Sequence, residues 1–253
     1  MTSNRKDFTY GLRATMEAIT SGQAIDKVLI KSGLRGELFQ ELFALIRDRE
    51  LPFQHVPSKK LDRITKKNHQ GVIAFLSPVE FYRLEDLLPG IFERGQTPFL
   101  LVLDGLTDVR NFGAILRTAE CAGVDGVVIP SRNFARISED TAKTSVGALY
   151  RIPICRTRDL AVSVDYLKNS GIQAVGVTEK TDHLYYDIDF HRPTALVMGA
   201  EDKGISPGLL HLLDHRAKIP MSGEIESLNV SVAAGVMIYE VVRQRTTPSA
   251  KRW

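Results

Sequence analysis

From residue 99 onward the chain carries short runs that are apolar at nearly every position: FLLVLDG at 99–105, GVVIP at 126–130, RIPICR at 151–156, IQAVGVTE at 172–179, TALVMGAE at 194–201 and AKIPM at 217–221. A strand with one wet face alternates apolar and polar residues. Runs apolar throughout belong to strands covered on both faces, and helical stretches alternate with most of them. The sequence therefore predicts an α/β domain with a mainly parallel sheet between helices over 98–253. Such sheets bind ligands at the carboxyl ends of their strands, so the loops following these runs are where chemistry is expected.

The segment before it is a smaller α/β module, 1–76. GLRATMEAITSG reads as a helix closed by Gly22, AIDKVLI as a strand, and GELFQELFALIRDRE as a helix with Leu38, Phe39, Leu42, Leu45 and Ile46 at helical spacing. PFQHV is extended, SKKLDRITKKN a short helix, and GVIAFL a closing strand. Residues 77–97, with turn signals at Pro78, Pro89-Gly90 and Gly95, read as a linker with a short helix. The final TTPSAKRW reads as a mobile tail.

Several function classes are disfavoured. No apolar run approaches the ~18–20 residues of a membrane helix. The opening MTSNRKDFTYGL lacks the apolar core of a signal peptide. Two cysteines, Cys121 and Cys155, show no ligand or disulfide spacing, which fits a reducing cytoplasm and predicts no metal. His211 and His215 lack a third ligand. The glycine patterns of dinucleotide sites, P-loops and nucleophile elbows are missing. A net charge of +3 permits a nucleic-acid partner without requiring one.

Three stretches of the second domain carry candidate chemistry. NFGAILR at 111–117 places Asn111 as a helix cap, Gly113 where something can approach the backbone, and Arg117 six residues beyond Asn111. VMGAEDKGIS at 197–206 runs from a strand through Gly199, Ala200, Glu201 and Gly204 to Ser206-Pro207, a cap with proline at the first helical position. IPMSGEIESLNVSVAAG at 219–235 leads from a strand end into a long helix, capped by Ser227 or Asn229. That helix is apolar nearly all round and is expected to be buried in the core or against a second subunit.

These three motifs, in this order, resemble those of the SpoU/TrmH family of RNA ribose 2′-O-methyltransferases, and the first segment is similar to the family's small substrate-binding domain. The resemblance implies a catalytic domain whose C-terminal part forms a trefoil knot. It implies a homodimer, and S-adenosylmethionine as methyl donor with S-adenosylhomocysteine as product. By resemblance Thr178, Gly199, Ala200, Ile219, Met221 and Leu228 hold the cofactor, while Arg117, Asn111, Glu201, Ser227 and Asn229 form the catalytic set. Arg117 is permanently cationic, so gripping phosphate and stabilising an oxyanion suits it better than accepting a proton. The layout is most similar to members that methylate a guanosine ribose of 23S rRNA. The alternatives are the same reaction on tRNA, or a non-catalytic RNA binder. RNA contacts are expected from Lys59, Lys60, Arg63, Lys66 and Lys67, where Asp62 is the one acid in the strip, and from Arg132, Arg136 and Lys143.

Overall fold

The computed structural model describes residues 8–246. The expected tail mobility falls, apart from Thr246, outside the described residues, as does most of the opening stretch. The chain forms two compact units. One runs to Glu80 and takes in Arg136–Glu139; the other comprises Phe81–Ala135 and the chain from Asp140.

In the first unit the order is β1 (Phe8–Tyr10), α1 (Leu12–Thr20), β2 (Ile25–Lys31), α2 (Glu37–Asp48), β3 (Phe53–Val56), α3 (Ser58–Ile64) and β4 (Val72–Leu76). The sheet order is β1-β4-β2-β3, antiparallel except for the β2–β3 pair. Two helices cover one face. There the α2 stripe meets the sheet through Leu42 and Ile46, against Val28, Ile30, Val72 and Ala74. The other face is covered by α3 through Leu61, which packs with Leu29, Val56 and Ile73. Only Leu61 of α3 is fully withdrawn from water, so its other faces are free to carry charge. The three-residue strand β1 has too little pattern to be read from sequence.

The second unit contains α4 (Leu84–Glu93), β5 (Phe99–Leu103), α5 (Val109–Cys121), β6 (Gly126–Pro130), α6 (Glu139–Thr144), β7 (Ile154–Thr157), α7 (Leu160–Asn169), β8 (Gln173–Val177), β9 (Thr194–Met198), α8 (Pro207–Leu210), β10 (His215–Ala217) and α9 (Val230–Thr246). Its six strands, in the order β10-β8-β9-β5-β6-β7, pair in parallel throughout. Leu100, Leu101, Val102, Ala195, Leu196 and Val197 are completely buried, as continuous apolar runs require. The stretch 77–97 behaves differently from a linker. Leu84, Leu88 and Ile91 of α4 are core residues, and Tyr82 pairs with Ile154 and Arg156 at the sheet edge. The last strand ends at Ala217, so Ile219–Met221 form a loop rather than a strand end.

The closing helix α9 is not buried all round. Ala234, Met237, Ile238 and Val241 are enclosed, while Val232 and Tyr239 are half exposed. Its last turn is fastened by Arg245, whose guanidinium donates to the carbonyls of Phe190, Thr97, Pro98 and Arg192 at 2.8–3.1 Å. These carbonyls precede β5 and β9, so one planar cation ties the helix to the starts of two central strands. Burial lowers the Arg245 pKa from its usual value without threatening its charge. Arg245→Ala leaves these carbonyls without their donor. We expect a loss of about 2–3 kcal/mol, seen as a melting temperature about 5–10 °C lower by differential scanning calorimetry. Lysine restores little of it, because a single ammonium lacks the planar fork.

Candidate active site

Parallel strands deliver every following loop to the same sheet edge, and β9 lies between β8 and β5 there. After β9 the chain turns at Gly199. A Cβ at this position would run into the backbone of Gly204 and Ile205, so the close approach that demands glycine is made by its own loop. Ala200 and Gly204 exchange backbone hydrogen bonds at 3.1 and 2.7 Å, with Gly204 in the left-handed region at φ 65°. The resulting tight loop projects Glu201 outward. Asp104, just after β5, accepts the Ser206 N–H at 2.8 Å and so ties the far end of the loop to the neighbouring strand.

Helix α5 starts one residue after Asp108, and Asp108, rather than Asn111, is its cap. The Asp108 carboxylate accepts from the N–H groups of Arg110 at 2.7 Å and Asn111 at 3.1 Å. Asn111 is thereby relieved of capping and held inside the first turn with its amide pointing away from its own helix. At α9 the open choice between Ser227 and Asn229 resolves to Asn229. Its Oδ1 accepts from the Ser231 N–H at 2.9 Å and the Ser231 hydroxyl at 2.6 Å. The two amides then meet Glu201. Asn111 Nδ2 donates to Glu201 Oε2 at 3.2 Å, and Asn229 Nδ2 donates to Glu201 Oε1 at 3.2 Å and to Asn111 Oδ1 at 3.1 Å. One small network joins all three motifs.

Two cavities flank this network and share Ala200, Glu201, Asp202 and Val230 as lining. The larger, about 390 Å³, is lined by all six residues expected to hold a cofactor: Thr178, Gly199, Ala200, Ile219, Met221 and Leu228. Ser227 lines it too, without joining the network. The walls combine apolar residues of strand ends and loops with the carboxylates of Glu179, Glu201, Asp202 and Glu226 and the ammonium groups of Lys180, Lys203 and Lys218. The smaller, about 310 Å³, adds Thr107, Asp108 and Asn111.

Arg117 is not brought to the network. Six helical residues from Asn111 put it about a third of a turn away, on an exposed face of α5. Among the described residues it makes no hydrogen bond or ion pair. Gly113 is crowded by Thr144, with an added Cβ falling 2.7 Å from the Thr144 Cβ, so its close neighbour is the protein itself. Lys59, Lys60, Arg63, Lys66 and Lys67 are all exposed. The acid among them, Asp62, is engaged by His69 at 3.0 Å and held below the usual aspartate range chiefly by that bond. Arg132 is exposed. Arg136 instead lays its guanidinium over the Phe75 ring at 4.1 Å and is half-buried.

Comparison with known proteins fits this geometry. The SpoU rRNA Methylase family matches residues 98–239, which takes in the three loops that the network joins. The chain belongs to this family. The SpoU family's companion module, RNA 2′-O ribose methyltransferase substrate binding, matches residues 8–82. A TrmH family tRNA/rRNA methyltransferase of Staphylococcus aureus is 38% identical over 93% of this chain and 95% of its own. Among solved structures, an AdoMet-bound rRNA methyltransferase from Sinorhizobium meliloti superposes with a TM-score of 0.61 at 26% identity, covering 95% of this chain and 88% of its own. A TrmH/SpoU tRNA modifying enzyme of A. aeolicus gives 0.55 at 30% identity, covering 59% of this chain and 76% of its own. As a SpoU methyltransferase, the chain carries its three motifs on the loops that the network joins.

Asp108, an aspartate just before a helix, is as good a cap signal as the asparagine three residues on. Hydrogen bonds from the Asn111 and Arg110 N–H groups hold its pKa below the usual aspartate value. The stabilisation this gives is present above the unfolded aspartate range and is lost as pH falls through the depressed folded value. Asp108→Ala is expected to cost about 1 kcal/mol at neutral pH. In urea denaturation the gap from wild type should shrink at about pH 3, and an unchanged gap would show that the charge is not what stabilises α5.

Proposed function

We propose that this SpoU methyltransferase moves the methyl group of S-adenosylmethionine to the ribose 2′-oxygen of a nucleotide in RNA, most specifically a guanosine of 23S rRNA. The observation that carries this reading is the Asn111–Glu201–Asn229 network standing between two adjoining cavities. The larger cavity suits the cofactor. Apolar walls at Ile219, Met221 and Leu228 match an adenine, the carboxylates match a cationic donor, and the lysines match its carboxylate. When bound, the cofactor supplies an activated methyl group and a good leaving group.

The residues of this chain then have to orient and to manage charge. Gly199 and Ala200 shape the floor of the donor cavity, and Thr178 closes its β8 side. The network fixes the shared wall, so that an acceptor ribose in the smaller cavity lies beside the methyl donor rather than at a loose distance. Ser227 offers a hydroxyl at the same mouth. Arg117, exposed on α5 and outside the lining of both cavities, supplies the cation for a phosphate beside the target ribose and so positions the strand rather than touching the reacting oxygen. The proton leaves through that phosphate or water.

RNA is held by Lys59, Lys60, Arg63, Lys66 and Lys67 of the first unit, a strip whose one acid is already occupied by His69. Arg132 adds to the surface of the second unit. Support for rRNA comes from coverage. The rRNA methyltransferase neighbour aligns along both units, whereas the tRNA modifying neighbour aligns with 59% of the chain. An rRNA substrate places the activity in the cytoplasm. The half-exposed Val232 and Tyr239, seven residues apart on α9, form an apolar stripe that a second copy covers in a homodimer. The trefoil knot implied by the resemblance belongs to the same reading.

The test is mass spectrometry of nuclease fragments from unmodified rRNA and tRNA, each incubated with the protein and S-adenosylmethionine. One ribose methylation in 23S rRNA is expected, with loss of at least a hundredfold in rate for Arg117→Ala. A mark only on tRNA would move the substrate, and no mark on either would overturn the reading. Arg117→Lys should stay severely impaired because it keeps the charge and loses the fork. Separately, S-adenosylmethionine at a hundred times its dissociation constant should stabilise the fold by about 2.7 kcal/mol in a thermal shift, and Met221→Glu should remove most of that shift.

A further inference from the structure

Four non-glycine residues among those described have positive φ, and Val146 is the β-branched one, at φ 53°. A branched Cβ in the left-handed region is a true outlier, because its methyl groups crowd the following carbonyl. The strain is held rather than incidental. The Val146 N–H donates to the Lys143 carbonyl at 3.1 Å and the Gly147 N–H to the Ala142 carbonyl at 2.9 Å, with Gly147 also left-handed at φ 84°. Beneath them the buried Ser145 hydroxyl donates to the Ala142 carbonyl at 3.1 Å and accepts the Leu149 N–H at 3.2 Å. This rigid turn does not use the side chain it strains, for Val146 is 70% exposed. Glycine or asparagine would fill the position at less cost, so folding gives no reason for valine there.

The surroundings supply one. Gly113, Arg117 and Glu120 form one stripe of α5, spaced by four and three residues. Gly113 abuts Thr144, and Glu120 meets Arg151 at 3.3 Å. Arg117, between them, therefore looks out beside the turn that carries Val146. Tyr150, one tight turn further on, is 54% exposed. Glu120 is met by Arg151 and Asp140 by Lys143 at 3.8 Å, while Arg117 makes no ion pair among the described residues.

We propose that Val146 is an RNA-recognition residue, held in a strained turn so that its isopropyl group, with Tyr150, presses on an unpaired base of the strand whose phosphate Arg117 engages. Apolar and aromatic surface beside a single guanidinium suits a splayed base and its phosphate. The inference rests on the RNA methyltransferase reading and adds to it a contact outside both cavities.

The test compares wild type, Val146→Asn and Val146→Ala on an unmodified rRNA transcript. Asparagine tolerates the left-handed backbone, so its melting temperature should rise by about 3 °C. KM for RNA should rise about five- to tenfold in both variants, with the dissociation constant of S-adenosylmethionine unchanged. A stabilised Val146→Asn with wild-type KM overturns the proposal, and so does a melting temperature that falls. A variant that sediments as a smaller species than wild type also overturns it, since a second copy would then be what covers this face. If wild type transfers no methyl group, the function reading has failed, and filter binding of the transcript decides the proposal by itself: weaker binding by both variants supports it, and equal binding overturns it.

Discussion

The site depends on where and how β9 ends. The strand is sealed on both faces and on both edges, between β8 and β5, so the chain can leave only at its carboxyl end. Gly199 makes the exit possible, because the backbone of Gly204 and Ile205 occupies the space any Cβ would need. The loop folds back on itself, and Glu201 emerges at a fixed place. Asp104 and Ser206 hold the other limb of the loop to the neighbouring strand. Once Glu201 is fixed, α5 and α9 are bound to it through one amide each. Both helices start at this edge, because the parallel sheet returns every crossover to it.

The network is exposed to solvent and each of its bonds is modest in energy. Its importance is geometric. Asparagine amides present a donor and an acceptor on one planar group, so Asn229 can hold Glu201 and Asn111 together while its oxygen caps its own helix. An aspartate at either position would lack the donor and would bring a second negative charge against Glu201. A serine would be too short. Residue type here follows from hydrogen-bond valence more than from charge.

Much of this was legible in the sequence. The fully apolar runs announced a parallel sheet, and the six cofactor-site candidates do line one cavity. Other features were hidden for physical reasons. The three-residue strand β1 has no period to read. Residues 77–97 read as a linker with a short helix because Pro78, Pro89-Gly90 and Gly95 are turn signals, yet the leucines of that helix, α4, belong to the core. Asn111 carried a cap signal that Asp108 also carries, and a single sequence does not say which competes better. The strain at Val146 is invisible to pattern, since nothing in TSVG tells a reader that valine sits at positive φ. The outward position of Arg117 follows from helical angle, but its neighbours come from a segment nearly thirty residues later.

The fastening of α9 has a consequence for the timing of synthesis. The helix is bound at its start by Asn229 and in its last turn by Arg245, and Val230 and Ala233 complete a cavity whose other walls come from β8 and β9. The first unit owes its sheet to residues before Glu80, with helices already paired along it. During synthesis the sheet of the first unit can therefore pair early, while the cavity beside Glu201 stays open on one side until α9 arrives. The cavity beside Glu201 is thus among the later features of the fold to form, after the sheet that supports it.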